Sequence, residues 1–149
     1  MSDPRFFLFS AFGVLAGAAL AVQSILNASL AQRTGTLLSL VVLALIGTST
    51  LVLLALLLPS QLSLRSLPGL SHWYLYIGGF LGLLILATPI LLVPRIGTAA
   101  TLVSIVFGQL VLALILDHLG FLGTPKIAIT PARALGVIIA AAGAFLVVR

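Results

Sequence analysis

The sequence predicts an all-α membrane protein, with five transmembrane helices in a single domain that covers residues 1–149. Hydrophobic residues make up 62% of the chain and charged residues 6%, whereas about a quarter of the residues in soluble domains are charged. The mean hydropathy is +1.37. A closed barrel is the other structure that spans membranes, but apolar runs such as 51–58 lack the alternating polar face of barrel strands.

Each span follows from length, because a helix needs about 20 mainly apolar residues to cross roughly 30 Å of hydrocarbon. The first span ends just before Gly35, since glycine favours a helix C-terminus, and the second stops at Pro59. The third begins at Trp73, in an aromatic cluster typical of a membrane interface, and Pro94 to Gly97 then reverses the chain. The predicted spans are residues 6–32, 37–58, 73–93, 98–116 and 132–148.

The basic residues lie near helix ends, where they indicate membrane anchoring and topology instead of nucleic-acid binding. With five spans, the two membrane faces carry nearly equal numbers of them, four on the N-terminal face and three on the other. These are Arg5, Arg65, Lys126 and Arg133 against Arg33, Arg95 and Arg149. Because this asymmetry sets orientation, the balance predicts insertion in both orientations and pairing as an antiparallel homodimer with ten helices.

Small residues indicate where helices approach one another closely. Those of the fifth span predict a packing face, either within the chain or between subunits: Gly136, Ala140, Gly143 and Ala144. In the third span, we predict a hinge or gate at Gly78, Gly79, Gly82 and Pro89. A static bend at Pro89 is the alternative, because proline kinks are common in membrane helices.

Four polar side chains inside the spans predict a substrate site: Gln23, Asn27, Gln109 and Ser104. A buried amide without a partner costs several kcal/mol in hydrocarbon, so these groups either line a wet cavity or bond one helix to another. Gln23 and Asn27 share a helix stripe, while Gln109 lies near the bilayer midplane.

Asp117 and His118 form the one acid and imidazole neighbourhood of the sequence, near the end of the fourth span. Their position suits a gate or a local capping network better than a midplane ion site. The sequence contains no metal-ligand spacing, catalytic triad or phosphate loop, so we predict no catalytic residues, no metal, no cofactor and no enzyme activity.

Segments 17–28 and 73–82 resemble the first and third helices of the YdcZ-like membrane proteins, a family of the drug/metabolite transporter superfamily. Pro94 to Gly97, Gly108 with Gln109, and Asp117 to Gly120 extend the resemblance through the fourth helix. It implies a half-size transporter whose five-helix units pair in opposite orientation around a central cavity. Small multidrug exporters of that superfamily use a membrane glutamate for proton exchange. This chain has no glutamate, so that mechanism is not carried over.

The predicted function is transport of a small metabolite or drug-like solute by alternating access, in a plasma membrane taken to be the bacterial inner membrane. The predicted partners are a second copy of the chain, the solute and the lipid bilayer, with no nucleic acid. Facilitated diffusion and coupled transport are equally compatible with a chain that has no carboxylate deep in a span. The alternatives are a flippase subunit for a lipid-linked sugar and a membrane scaffold subunit that does not transport.

Overall fold

A computed structural model describes residues 4–61 and 67–148, and every regular element in these ranges is helical. The α-helices are α1 (Pro4–Thr34), α2 (Thr36–Leu57), α3 (Ile77–Ile96), α4 (Thr98–Leu119) and α5 (Pro131–Val148). Short 3₁₀ helices occupy Pro59–Gln61, Leu70–Tyr76 and Phe121–Gly123. Of the basic residues counted above, Arg65 and Arg149 lie outside the described residues.

Four of the helices are long and apolar enough to cross a membrane, which confirms the all-α membrane class. They are α1 to α4, with α3 counted together with the 3₁₀ turn that precedes it. The 18 residues of α5 give a rod of about 27 Å at about 1.5 Å per residue. This is slightly less than the roughly 30 Å of hydrocarbon, so the crossing by α5 stays a prediction.

Single glycines separate α1 from α2 and α3 from α4. Gly35 and Gly97 have φ values of 87° and 80°, in the region where a Cβ atom is disfavoured, so the chain leaves the helix at these two positions. The predicted break at Gly35 is therefore found. α3 continues past Pro94 to Ile96, and the chain leaves the helix only at Gly97.

The third candidate span runs from Ser71 to Ile96, close to the predicted start at Trp73. Its aromatic cluster lies in a 3₁₀ helix, and α3 itself begins at Ile77. His72 interrupts the 3₁₀ segment with non-helical backbone angles. The Tyr76 hydroxyl donates a 2.6 Å hydrogen bond to the carbonyl oxygen of Pro68. This bond ties the aromatic segment to the residues just before it.

The chain divides into two compact units, Met1–Leu91 and Leu92–Arg149. In the first, α1 packs against α2, and in the second, α4 packs against α5. Large apolar side chains such as Phe12, Leu37 and Phe80 are exposed, as expected for helices that meet lipid instead of water. Few residues in the described ranges are buried, and several of those are polar: Ser24, Asn27, Ser39 and Thr101.

Candidate functional site

The Asp117 and Arg133 side chains form an ion pair between the end of α4 and the first turn of α5. The Arg133 Nη2 atom lies 2.5 Å from Asp117 Oδ2, and both side chains are about one third exposed, at 33% and 37%. The Nη1 group of Arg133 also donates to the carbonyl oxygens of Ile127, at 3.3 Å, and Ala128, at 3.5 Å. One guanidinium therefore holds the end of α4 and the connecting loop together.

Main-chain bonds add to this cluster. The N–H of Ile127 donates to the carbonyl oxygen of Asp117 at 2.8 Å, and the N–H of Ile129 donates to His118 Nδ1 at 3.4 Å. A neutral His118 can accept this bond only in the tautomer whose proton is on Nε2. Asp117 and His118, predicted as a gate or capping network, thus lie in a compact cluster that folds the loop back onto α4.

Local sequence explains why this cluster forms. Gly120 ends α4 in the left-handed conformation, with its N–H donating to the Leu116 carbonyl oxygen at 3.0 Å. Thr130 precedes α5, and its Oγ1 accepts a 3.3 Å bond from the Arg133 N–H, while Pro131 occupies the favoured first helical position. The end of α4 at Gly120 and the start of α5 at Pro131 fix the length of the loop, so Arg133 lies opposite Asp117.

The two amides predicted on α1 have different environments. Asn27 is buried, with 4% of its surface exposed, on the face that also holds Ser24 and Ala28, whereas Gln23 is exposed. Ser24 donates its hydroxyl to the Leu20 carbonyl oxygen at 2.7 Å, so its polarity is satisfied within α1. Gln23 therefore lies at the edge of the buried face of α1, next to a buried amide.

On α4, the predicted Ser104 hydroxyl donates to the Ala100 carbonyl oxygen at 2.8 Å. Gln109 is exposed five residues further along the same helix. The structure places this pair in the unit that begins at Leu92, and Gln23 with Asn27 in the unit that ends at Leu91. A substrate site that joins all four residues stays a prediction.

The predicted hinge glycines of α3 have free space around them. A Cβ atom built at Gly78, Gly79 or Gly82 would meet no heavy atom within 4 Å. Pro89 is buried inside α3, and the helix continues across it. Within this chain, close packing does not require glycine at those three positions, and their role as a hinge stays a prediction.

The small residues of α5 border grooves between α4 and α5. Ala140, Gly143 and Ala144 line a groove of about 350 Å³ whose other walls are aliphatic and aromatic side chains of α4, together with Val147. Gly136 lines a second groove of about 280 Å³ that has Asp117 and Arg133 at one end. Cβ atoms at Gly136 and Gly143 would meet no described atom within 4 Å, so the packing of α4 against α5 leaves this face open.

Arg133 is the functional candidate that the sequence reasoning missed, since it was interpreted only as a membrane anchor. The available signal was the single acid of the fourth span, Asp117, followed by an arginine at the start of the next helix. A lone acid near a membrane interface favours a nearby basic partner. The two positions are sixteen residues apart and meet only because the loop folds back.

Several helices long and apolar enough to cross a membrane define the class of the chain, a multi-pass membrane protein. The profile of one family matches almost the entire chain, residues 8–146. That family is described as "Putative inner membrane exporter, YdcZ", and the chain belongs to it. The resemblance seen in the sequence is thereby confirmed. The family also places the chain among transporters rather than enzymes.

No curated protein and no solved structure matches the chain.

Proposed function

We propose that the protein is half of a secondary transporter that moves a small metabolite or drug-like solute by alternating access. The observation that carries this proposal is the buried Asn27 beside the exposed Gln23 in an apolar helix of an exporter family. Amides inside a span are costly unless they are paired or hydrated. The exposed Gln23 amide can exchange hydrogen bonds with a neutral polar solute.

The working unit is an antiparallel homodimer of two copies inserted in opposite orientations in the plasma membrane. The nearly balanced basic residues support dual insertion, because strong asymmetry would fix one orientation. The open grooves beside Gly136 and Gly143 support a partner helix at α5, since glycine permits close backbone approach. Two inverted copies would supply the inverted repeat on which many alternating-access transporters are built.

In this mechanism, Gln23, Asn27, Ser104 and Gln109 contact the solute as uncharged hydrogen-bonding groups. Ser104 donates to its own helix and so offers its oxygen lone pairs. The α3 glycines and Pro89 give the third helix freedom to move, and the Asp117 and Arg133 cluster acts as a gate at the end of α4. Facilitated diffusion and coupled transport both remain compatible with this set of neutral contacts.

A second candidate, a flippase subunit for a lipid-linked sugar, is favoured by one observation. The 350 Å³ groove beside Ala140 is apolar, and the adjoining groove ends at the charged side chains of Asp117 and Arg133. An acyl chain suits an apolar wall, and a phosphate suits an arginine. A scaffold subunit, in contrast, needs neither an exposed amide inside a span nor an open groove.

Thiol labelling tests the proposal, because the chain contains no cysteine. In protein shown to be folded, Gln23→Cys and Gln109→Cys should react with a membrane-impermeant thiol reagent, since hydrated thiols ionise and react. Leu112→Cys, an apolar exposed position on α4, serves as the lipid-facing control. Unreactive thiols at both glutamine positions would favour the scaffold and remove the transport site.

A further inference from the structure

Two segments of the sequence repeat each other at a spacing of 62 positions. Residues 33–41 read RTGTLLSLV and residues 95–103 read RIGTAATLV, with five of nine positions identical. A sixth position conserves a hydroxyl, Ser39 in the first copy and Thr101 in the second. Each copy covers the end of one helix, the single junction glycine and the start of the next helix.

The two junctions also have the same backbone geometry. Gly35 has φ 87° and ψ 154°, and Gly97 has φ 80° and ψ 165°. Each glycine N–H donates to the carbonyl oxygen four residues earlier, at 2.8 Å for Gly35 and 3.0 Å for Gly97. Each glycine carbonyl oxygen accepts from the N–H four residues later, at 3.1 Å and 3.2 Å.

Burial repeats at the same spacing. Eight residues are buried in the described ranges, and six of them form three pairs that are 62 positions apart. The pairs are Asn27 with Pro89, Ala28 with Ile90, and Ser39 with Thr101. Sequence, backbone geometry and burial thus agree that the α1–α2 junction and the α3–α4 junction are copies of one unit.

The pairing of Asn27 with Pro89 has a chemical consequence. Proline has no N–H, so Pro89 cannot donate to the carbonyl oxygen of Ile85, four residues earlier in α3. The neighbouring Thr88 hydroxyl does not replace that donor, because it donates to the Leu84 carbonyl oxygen at 2.8 Å. The Ile85 carbonyl is therefore an acceptor without its usual helical donor.

The position of this carbonyl matches that of the first amide. Ile85 is 62 positions from Gln23. Gln23 is exposed one turn before the buried Asn27, and Ile85 is exposed one turn before the buried Pro89. Successive helix residues are about 100° apart, so both positions lie at the same edge of their buried faces. The first copy carries its hydrogen-bonding capacity on side chains, and the second carries it on the backbone.

The distance from the junction glycine, counted in residues, is also the same for these groups. Gln23 and Ile85 each precede their junction glycine by twelve residues, and Gln109 follows Gly97 by twelve. Twelve residues of helix span about 18 Å, close to the middle of a hydrocarbon layer of roughly 30 Å. Gln23 and Ile85 therefore lie about the same distance along their helices from the junction glycines.

We propose that the Ile85 carbonyl, released by Pro89, is a substrate-binding group equivalent to the Gln23 amide. This proposal rests on the proposed transport function and deepens it by naming the solute class. A carbonyl that lacks its usual helical donor accepts hydrogen bonds and cannot donate them, so the solute carries hydroxyl or amine N–H donors. Pro89 is then a positioning residue that exposes this acceptor.

Thiol labelling at matched positions tests the equivalence with a membrane-impermeant cationic methanethiosulfonate as the probe. The site variants are Gln23→Cys and Ile85→Cys. Their controls are Val22→Cys and Leu84→Cys, which are also 62 positions apart, are 60% and 59% exposed, and lie on the side of each helix away from the buried face. Both site cysteines should label about tenfold faster than their controls, because only hydrated thiols ionise readily.

The outcomes separate the two proposals. Fast labelling at Gln23→Cys with slow labelling at Ile85→Cys would overturn the equivalence and leave the transport function standing. Slow labelling at both positions, in folded protein, would overturn the transport site and the equivalence together. Equal labelling at sites and controls would also overturn the equivalence, because the probe would then report no hydrated face.

A second pair of variants tests the carbonyl itself. In Ile85→Cys protein, Pro89→Ala returns an N–H to the Ile85 carbonyl, so labelling of the cysteine should fall severalfold as the polar acceptor is lost. Pro94→Ala is the matched control, because it restores a helical bond in the same helix, to Ile90, away from the proposed site. Unchanged labelling after Pro89→Ala, or an equal fall after Pro94→Ala, would refute the role of the carbonyl.

Discussion

The ion pair between Asp117 and Arg133 gives the sharpest quantitative prediction. Arg133→Ala removes the 2.5 Å contact to Asp117 and the two longer bonds to the carbonyl oxygens of Ile127 and Ala128. Because the pair is about one third exposed, its charge interaction contributes no more than about 1 kcal/mol. The two long carbonyl bonds add at most about another 1 kcal/mol. Loop closure should therefore weaken by about 1–2 kcal/mol, or about five- to thirtyfold in its equilibrium constant.

Hydrogen exchange measured by mass spectrometry reports this change locally. The N–H groups of Ile127 and Ile129 are bonded to the end of α4, so their exchange should accelerate by about the same five- to thirtyfold factor in Arg133→Ala. Amides of α1 and α2 should exchange as in the unmodified protein. Asp117→Asn should have a smaller effect, because the amide oxygen still accepts a hydrogen bond from the guanidinium.

Lys126→Ala provides the control, since it removes an exposed charge of the same sign from the loop that Arg133 binds and keeps the Cβ atom that lies near Gly120. It should leave exchange at Ile127 nearly unchanged. Equal acceleration in Lys126→Ala and Arg133→Ala would mean that net charge, and not the described contacts, stabilises the loop. Unchanged exchange in Arg133→Ala would refute the contribution of the ion pair altogether.

Three further predictions concern the assembly and the amides. Reporters that are active on opposite membrane sides and fused to the C-terminus should give comparable signals. Two lysines added beside Arg149 should shift the signal to the cytoplasmic reporter. A one-sided signal from the chain without the added lysines would exclude dual topology. Gly136→Leu and Ala140→Leu should dissociate dimers, at a cost of about 1–3 kcal/mol, before the chain unfolds, because a Cβ at Gly136 meets nothing within 4 Å in this chain. Full dimers of both variants in detergent and in lipid, measured by native mass spectrometry, would remove α5 from the interface. Gln109→Leu should change the free energy of unfolding by no more than about 1 kcal/mol, since the side chain is exposed. A larger loss would indicate a hydrogen bond from Gln109 to another helix.

The sequence predicted the membrane class and the positions of most helices because a chain in lipid must satisfy its backbone locally. The break at Gly35 could be predicted for the same reason, since glycine accepts the positive φ found there. The end of α3 was less predictable: Pro94 removes one helical donor, yet the helix continues for two more residues to Ile96. A single missing bond bends or weakens a membrane helix without having to end it.

The sequence predicted which polar residues form the candidate site, but it did not predict which of them are buried and which are exposed. Gln23 and Asn27 are four residues apart and share a stripe, yet one is exposed and the other is buried. Which part of a helix face is covered depends on the neighbours that pack against it, and the low polarity of the helix on all sides gives no signal for that choice. The repeat between 33–41 and 95–103 was readable from the sequence, whereas the shared burial became visible only in the structure.

By itself, the sequence determined that this protein is a series of apolar helices with few polar groups, because hydrophobic length and glycine breaks act within one segment at a time. The tertiary structure decided which of those polar groups meet. Asp117 and Arg133 are sixteen residues apart and become partners only when the loop between α4 and α5 folds back. The grooves beside Gly136 and Gly143 likewise exist only because α4 packs against α5 and leaves that small-residue face open. Such contacts depend on the relative positions of two helices, which the pattern of either helix alone does not specify.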